Sequence, residues 1–362
     1  MNIQRMLALT KAALFETIPD KNLFINIGEA DWNDLFELSA LQGVMALSLN
    51  GAMGLPKDLQ PPLPVKFRWI ASVEAVEKRY RHYRETAQKL SAQLKENNIR
   101  MLLFKGLALS RLYPVPASRE FGDIDIFLYG KAKEGDELLK RITGEETRSL
   151  KKHSKFSYRG ISIENHYNFL EQNNRKSFLH RKNLEEQLTK IVTESACVTN
   201  ESLLFPPPDF DALHGILHTL SHLSSKIVLR QLCDLTVIFT VYKGKIDFSS
   251  FRNSLSEAGL LKLADSLISL SVRYLGLNPE CVPPYESDVS LENRIWNEML
   301  NPEVTPLPKE KRTLFNVFIY KIRLLRSNRW KNELLFPGRS GITIFYSVFY
   351  HLLHPKSIRK IK

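Results

Sequence analysis

Two aspartates separated by one residue, Asp123 and Asp125, form the pattern in this sequence that is best suited to chemistry. They lie in the stretch GDIDIFL, where acidic and apolar residues alternate and predict a β-strand from Asp123 to Leu128. Successive side chains of a strand point to opposite faces, so both carboxylates share one face. Carboxylates are the usual protein ligands of Mg²⁺, and two such ions can assist an in-line displacement at phosphorus. The pair predicts a divalent-metal site, although surface strands also contain this pattern by chance.

A strand, a turn and a short helix are predicted just before the acidic strand. Ile99–Phe104 is typical of a buried strand, Lys105-Gly106 of a turn and Leu107–Tyr113 of a short helix. The ammonium group of Lys105 in this turn could neutralise phosphate charge, and Arg119 in the following loop could do the same. Because two adjacent carboxylates repel each other, either cation could instead be their structural partner.

A β-hairpin is predicted after the acidic strand. Its arms are Phe156–Tyr158 and Ile161–Tyr167, and Arg159-Gly160 forms the turn between them. The period of two places three polar side chains of the second arm on one face: Ser162, Glu164 and His166.

Helical patterns flank this mixed segment on both sides. The N-terminal part contains predicted helices at Asp31–Leu49 and Val73–Leu94. Three prolines, Pro206 to Pro208, mark a boundary, because they cannot continue a helix or a central strand. Six further helices are predicted at Asp211–Ser224, Ile227–Thr240, Phe248–Gly259, Leu260–Leu275, Leu291–Leu300 and Thr313–Leu325. The pattern predicts an α+β protein with an N-terminal helical region (1–97), a small mixed-sheet core (98–205) and a C-terminal helical domain (209–362).

The composition is that of a folded protein with a basic surface. The 362 residues are 43% hydrophobic and carry a formal net charge of +12, which favours polyanionic partners such as a nucleoside triphosphate. Three widely spaced cysteines suggest neither a disulfide framework nor a cysteine zinc site, and a reducing cytoplasm fits them. The longest apolar stretch, Ile342–Leu353, is shorter than the roughly 20 residues of a membrane-spanning helix, so no transmembrane segment is expected.

The order of motifs resembles that of the polymerase β-like nucleotidyltransferase superfamily, in which a glycine turn precedes an Asp-X-Asp strand. It is more closely similar to a bacterial family of uncharacterised nucleotidyltransferases, whose pattern this chain shows as Lys105-Gly106, Tyr113-Pro114, Arg119 and Gly122-Asp123-Ile124-Asp125. The likeness extends to the segments DWNDLFELSALQGV, HGILHTLSHL, LRQLCDL and LLFPGRSG. It covers nearly the whole chain.

The resemblance implies a nucleotidyltransferase core and a set of roles for its residues. Asp123 and Asp125 would bind the metals together with a third carboxylate on a later strand, for which Glu164 is the candidate; these three would form the catalytic set. Gly106 would let backbone amides approach the triphosphate, and Lys105 and Arg119 would complete nucleotide binding. The position after the glycine, usually a small residue in the superfamily, is Leu107, which offers no hydroxyl to a phosphate.

The implied reaction moves a nucleoside monophosphate from an NTP, with ATP the expected nucleotide, to a hydroxyl-bearing acceptor. Mg²⁺ or Mn²⁺ is the implied cofactor, and the acceptor stays open among protein, RNA, sugar and small metabolite. The Leu107 departure motivates an alternative: a non-catalytic nucleotide- or nucleic-acid-binding module that retains the fold.

Two further patterns receive structural interpretations. Three histidines at steps of four on one predicted helix, His214, His218 and His222, could share a metal, but their apolar surroundings favour packed helix residues. The aromatic stretch from Ile342 with its basic end could lie on an anionic membrane, although a docked terminal helix is preferred. The role of Asp234 in LRQLCDL stays open.

Overall fold

The computed structural model describes residues 1–144, 148–149, 153–170, 177–200, 202–223, 226–301 and 314–335. The C-terminal stretch from Ile342, with its predicted membrane or docking role, lies outside these residues. The described helices are α1 (Asn2–Phe15), α2 (Glu29–Leu41), α3 (Met45–Met53), α4 (Leu63–Glu96), α5 (Gly106–Ser110), α6 (Ala132–Thr143), α7 (Ser177–Glu194), α8 (Pro208–Leu223), α9 (Leu229–Val241), α10 (Phe248–Glu257), α11 (Leu261–Leu270), α12 (Val289–Leu300), α13 (Leu314–Ser327) and α14 (Arg329–Leu335). None of these helices combines the length and apolar character needed to cross a membrane.

Seven short strands form one mixed sheet. They are β1 (Leu102–Phe104), β2 (Ile124–Phe127), β3 (Arg148–Ser149), β4 (His153–Tyr158), β5 (Ile161–His166), β6 (Val198–Asn200) and β7 (Leu203–Phe205). The spatial order is β3-β4-β5-β2-β1-β7-β6. β2 runs antiparallel to β1 and parallel to β5, while β7 runs parallel to β1. The predicted α+β class, with a small mixed sheet between helical flanks, is confirmed.

The alternation of residues on β2 separates two faces of the sheet. Ile124 and Ile126 point into a hydrophobic cluster formed with the C-terminal half of α4 and with α6. Phe127 belongs to the other, larger cluster, which also contains Phe104 of β1 and Phe210 of α8. Because the odd-numbered positions of β2 share a face with Phe127, Asp123 and Asp125 lie on the side of the sheet that faces α8.

The single helix predicted over Asp31–Leu49 is wrong, because the structure divides this segment into α2 and α3. The break is at Gly43, whose φ of +66° lies in the left-handed region that glycine adopts without steric cost. The Gly43 amide donates to the carbonyl of Ala40 at 3.1 Å, which closes the C-terminus of α2. The third proline of the triplet, Pro208, begins α8, where its missing amide hydrogen is not needed.

One hydrophobic core connects the predicted regions. The larger cluster joins side chains of α1 to α3, of the sheet and of α8 to α12. Polar contacts repeat this connection: the Gln42 side chain donates to the carbonyl of Met299 at 3.1 Å and accepts from the amide of Leu229 at 2.8 Å. The three-region division stays a prediction.

Candidate metal and nucleotide site

The parallel pairing of β2 and β5 brings the predicted carboxylates together. Asp125 is in register with Glu164 on the neighbouring strand, so their side chains project side by side from one face. Asp123 directly precedes β2 and shares that face. Its pKa is raised from 3.8 to about 6 by burial, with further contributions from the charges of Asp125 and Glu164. The three carboxylates therefore lie on one face of the sheet. Among the described residues, however, the group whose ligand atoms all lie within 4.8 Å of one another is His153, Glu164 and His166, and it includes neither aspartate.

Asp125 lies at the centre of the group and is only 5% exposed. One of its oxygens, Oδ1, accepts hydrogen bonds from Lys105 Nζ at 2.8 Å and faces His166 Nε2 at 2.7 Å. Burial alone would raise the pKa of Asp125, but Lys105 and His166 together hold it well below its ordinary value. Asp125 is thus an ionised carboxylate at neutral pH.

Glu164 faces the same centre from β5. Its oxygens lie 3.6 Å from the Nε2 atoms of His153 and His166 and 3.3 Å from Lys155 Nζ. Burial would raise the pKa of Glu164, but the hydrogen bond of His166 and the charges of both histidines lower it to about 2. The carboxylate is therefore also ionised, and it is held between groups that favour its charge.

The Lys105-Gly106 turn lies at the edge of the carboxylate group. Lys105 has a φ of 57°, which is uncommon for a residue with a side chain, and it immediately precedes α5. Such backbone conformations cluster at functional sites, where surrounding contacts maintain them. A Cβ atom on Gly106 would come within 3.1 Å of the Phe121 side chain, so the close approach of this segment favours glycine.

Arg119 contacts a buried aspartate. Its guanidinium forms a two-pronged pair with Asp234, with distances of 2.6 Å from Nε to Oδ1 and 2.8 Å from Nη2 to Oδ2. Nη1 donates to the carbonyl of Gly106 at 3.0 Å, and the Tyr113 hydroxyl also donates to Asp234 at 2.6 Å. Arg119 thereby links the Lys105-Gly106 turn to α9. Its predicted contact with nucleotide stays a prediction.

The arrangement agrees with a comparison to known families. The model of a family described as an uncharacterised nucleotidyltransferase matches residues 28–276, more than half of the 362 residues. This chain belongs to the uncharacterised nucleotidyltransferase family. The match includes the turn, all three carboxylates and the Arg119–Asp234 pair. Comparisons with curated proteins and with solved structures gave no match.

Two histidines lie beside these carboxylates, and the sequence assigns a role to neither. The period of two in the sequence predicts that His166 shares a face with Glu164. His153 joins them because it lies opposite His166 in the antiparallel pairing of β4 and β5. The two rings lie 5.0 Å apart. The sequence could have indicated His153 only through the alternation of residues on β4, extended backwards from the hairpin turn until it faced His166 on β5.

The loop after β5 fixes the position of the His166 ring. Its Nδ1 atom lies 3.3 Å from the carbonyl oxygen of Asn168, so Nε2 is directed at the carboxylates. The next two backbone amides, of Phe169 and Leu170, both donate to the Glu185 carboxylate on α7 at 2.8 Å. Helix α7 therefore fixes the loop after β5, and this loop orients the His166 ring.

The three histidines of α8 form a row of rings. His214 stacks on Phe210 at 5.1 Å and on His218 at 5.7 Å, and His218 meets His222 at 4.6 Å. His214 also packs edge-on against Phe104 beside the carboxylate group. Burial lowers the pKa of His218 well below its ordinary value, and the charge of Lys105 adds to this effect. These contacts show ring packing along the helix, as the sequence favoured.

Proposed function

We propose that this protein is a metal-dependent nucleotidyltransferase that moves a nucleoside monophosphate from an NTP to a hydroxyl acceptor. The observation that carries the proposal is that Asp123, Asp125 and Glu164 share one sheet face beside the Lys105-Gly106 turn. Family membership supports nucleotidyl transfer in general terms. The geometry supports the finer assignment of a metal-binding centre.

The residues present suit a divalent cation. Three carboxylates offer hard oxygen ligands, which Mg²⁺ and Mn²⁺ accept. The raised pKa of Asp123, caused by burial and by its two acidic neighbours, reflects negative charge that the protein alone does not fully compensate. A bound cation would relieve this repulsion and, once there, would stabilise the charge that develops on the phosphate oxygens.

The protein groups then divide the work. In this proposal, Lys105 and the backbone at Gly106 hold the triphosphate next to the carboxylates. The acceptor hydroxyl oxygen attacks the α-phosphorus, the bond from that phosphorus to its bridging oxygen breaks, and pyrophosphate leaves. The hydroxyl proton passes to a carboxylate of the group. The helical flanks are left to select the acceptor.

The proposal is tested by label transfer. Protein, Mg²⁺ or Mn²⁺ and each of the four α-labelled NTPs are incubated with cell extract, and labelled products are separated by size and chemistry. We expect transfer by the unmodified protein, with ATP the expected donor, and loss to background in Asp123→Asn and Asp125→Asn. Asp58→Asn, a change at an exposed position, is the matched control and should retain full activity. Transfer that persists unchanged in Asp123→Asn would contradict the proposal.

A second candidate is a non-catalytic nucleotide-binding module. It is favoured by the Lys105 ammonium, which lies 2.8 Å from Asp125 and partly neutralises the site without a metal. This candidate predicts nucleotide binding that is indifferent to added metal and to Asp125→Asn, with no transfer to any acceptor. Calorimetric titration of nucleotide with and without Mg²⁺ separates the two candidates.

A further inference from the structure

We infer that His153, Glu164 and His166 form a site for a divalent transition-metal ion of the Zn²⁺ or Mn²⁺ type. The inference rests on the proposed function, because it specifies one metal position of the same centre. It adds two imidazole ligands to a site for which only carboxylates were predicted. It also changes the expected metal, since mixed nitrogen and oxygen ligands suit transition metals, whereas Mg²⁺ is bound through oxygen.

The ligand atoms are close together, at distances somewhat longer than those of a closed coordination shell. Bonds of about 2.1 Å to nitrogen and oxygen place neighbouring ligands roughly 3.0 Å apart in an octahedron and roughly 3.4 Å apart in a tetrahedron. His153 Nε2 lies 3.6 Å from Glu164 Oε1, and His166 Nε2 lies 3.6 Å from the other oxygen, Oε2. One ligand atom from each of the three residues fits within 4.8 Å of the other two. A bound ion would have to draw the three ligand atoms together from these distances.

The surroundings hold the ligands in place. His166 is fully buried and packs edge-on against the Phe104 ring at 4.9 Å. Its second nitrogen, Nδ1, lies 3.3 Å from the carbonyl oxygen of Asn168. Metal-binding histidines commonly donate their other ring hydrogen to a backbone carbonyl. Metal binding by His166 would then replace the contact of Nε2 with Asp125 by a bond to the ion. His153 is also buried, with 7% of its surface exposed.

Asp125 links this position to the other carboxylates. Its Oδ1 lies 2.7 Å from His166 Nε2 and 2.8 Å from Lys105 Nζ. A carboxylate has two oxygens, so Asp125 can contact the lysine and an ion at the same time. Three protein ligands leave coordination positions open, which is the arrangement of catalytic rather than structural zinc sites. Phosphate oxygens of a substrate suit those open positions.

The test measures metal binding directly, without an activity assay. Full-length protein stripped with EDTA is titrated by calorimetry with Zn²⁺, Mn²⁺ and Mg²⁺ in separate experiments. We expect Zn²⁺ and Mn²⁺ to bind at least 100-fold more tightly than Mg²⁺, and His153→Gln to weaken Zn²⁺ binding 10-fold or more. His82→Gln, which removes a histidine of α4 that contacts the Arg159 carbonyl instead, is the matched control. Electron spin echo spectra of bound Mn²⁺ should show ¹⁴N modulation from imidazole, reduced in His153→Gln.

The outcomes separate this inference from the proposed function. Zn²⁺ binding that depends on His153, in a protein without nucleotidyl transfer, supports the inference and contradicts the proposed activity. Transfer supported by Mg²⁺ and unaffected by His153→Gln, with no nitrogen ligation of Mn²⁺, overturns the inference and leaves the activity standing. His166→Gln is examined in parallel by circular dichroism, and His153→Gln decides the result if the His166 variant fails to fold.

Discussion

Asp123 shows how the chemistry of the site opposes stability at a single residue. Burial and two acidic neighbours raise its pKa from 3.8 to about 6, so the folded protein binds a proton there more tightly than the unfolded chain does. The ionised form is therefore disfavoured in the fold, and this penalty grows as the pH rises from about 4 through 6. At neutral pH the metal-free protein carries the penalty in full.

Asp123→Asn is expected to stabilise the metal-free protein while it abolishes transfer. Removal of the disfavoured charge should add roughly 1 to 3 kcal/mol to the free energy of unfolding at pH 8, and the gain should shrink as the pH falls from 6 toward 4. Thermal unfolding in EDTA at pH 8 and pH 5 measures this difference, with Asp58→Asn as the exposed control. An equal gain at both pH values would contradict the assigned cause.

The residues of the site were predictable where one strand or turn contains them. The spacing of Asp123 and Asp125 predicts from local geometry alone that both side chains share one face of a strand. The glycine likewise predicts the turn at Lys105-Gly106. His153 was not predictable in this way, because its position depends on which residue of β5 it faces across the hairpin. Asp234 likewise meets Arg119 only through the packing of α9 on the loop before β2. Both depend on tertiary pairing that no single segment encodes.

At the scale of elements, the Arg119–Asp234 pair joins α9 to the turn at Gly106. Asp234→Asn leaves a buried guanidinium without its countercharge, and breaking a buried pair in this way costs about 3 to 5 kcal/mol. Urea unfolding should show a large decrease in the midpoint. Glu280→Gln, which breaks the solvent-exposed pair with Lys243, is the control and should leave the midpoint unchanged. Equal midpoints in the two variants would show that the buried pair does not stabilise the fold.

Helices α1 and α3 cross at a glycine. A Cβ atom on Gly51 would lie 2.1 Å from the carbonyl oxygen of Leu9, a distance at which one helix must move. Gly51→Ala should therefore destabilise the protein by about 1 to 3 kcal/mol, as overpacking of a core does. Chemical denaturation gives the value, and Glu74→Ala on the exposed side of α4 is the control. An unchanged or higher stability would mean that the two helices separate without cost.

Several elements differ from their sequence patterns for physical reasons. The long apolar periodicity of Asp31–Leu49 predicted one helix, since helical spacing continues across Gly43 and only the left-handed φ at that residue ends α2. β7 (Leu203–Phe205) is three residues long and stands directly before prolines, so its strand character comes from pairing with β1. The long α4 was predicted correctly in its centre, where amphipathic spacing is strong, but it begins ten residues earlier, at Leu63 rather than Val73.

At the scale of the whole molecule, the sheet depends on both helical flanks. Phe104 of β1 packs against Phe210 and His214 of α8, with ring centroids 6.2 and 5.4 Å apart. A fragment of residues 98–205 would expose this apolar face to water. We expect the fragment to be unfolded or aggregated, as judged by the dispersion of its ¹H–¹⁵N NMR spectrum, and the full chain to unfold in one cooperative step. A well-dispersed fragment spectrum would instead support an independent core domain.

The contact between Glu185 and the loop after β5 couples the position of the His166 ring to helix α7. Glu185 accepts hydrogen bonds from two backbone amides. These amides come directly after Asn168, whose carbonyl orients the ring. A substitution of Glu185 is therefore expected to shift the imidazole without replacing Asp123, Asp125 or Glu164. The ion preference of the proposed metal site would in this way be adjustable by residues that do not contact the ion.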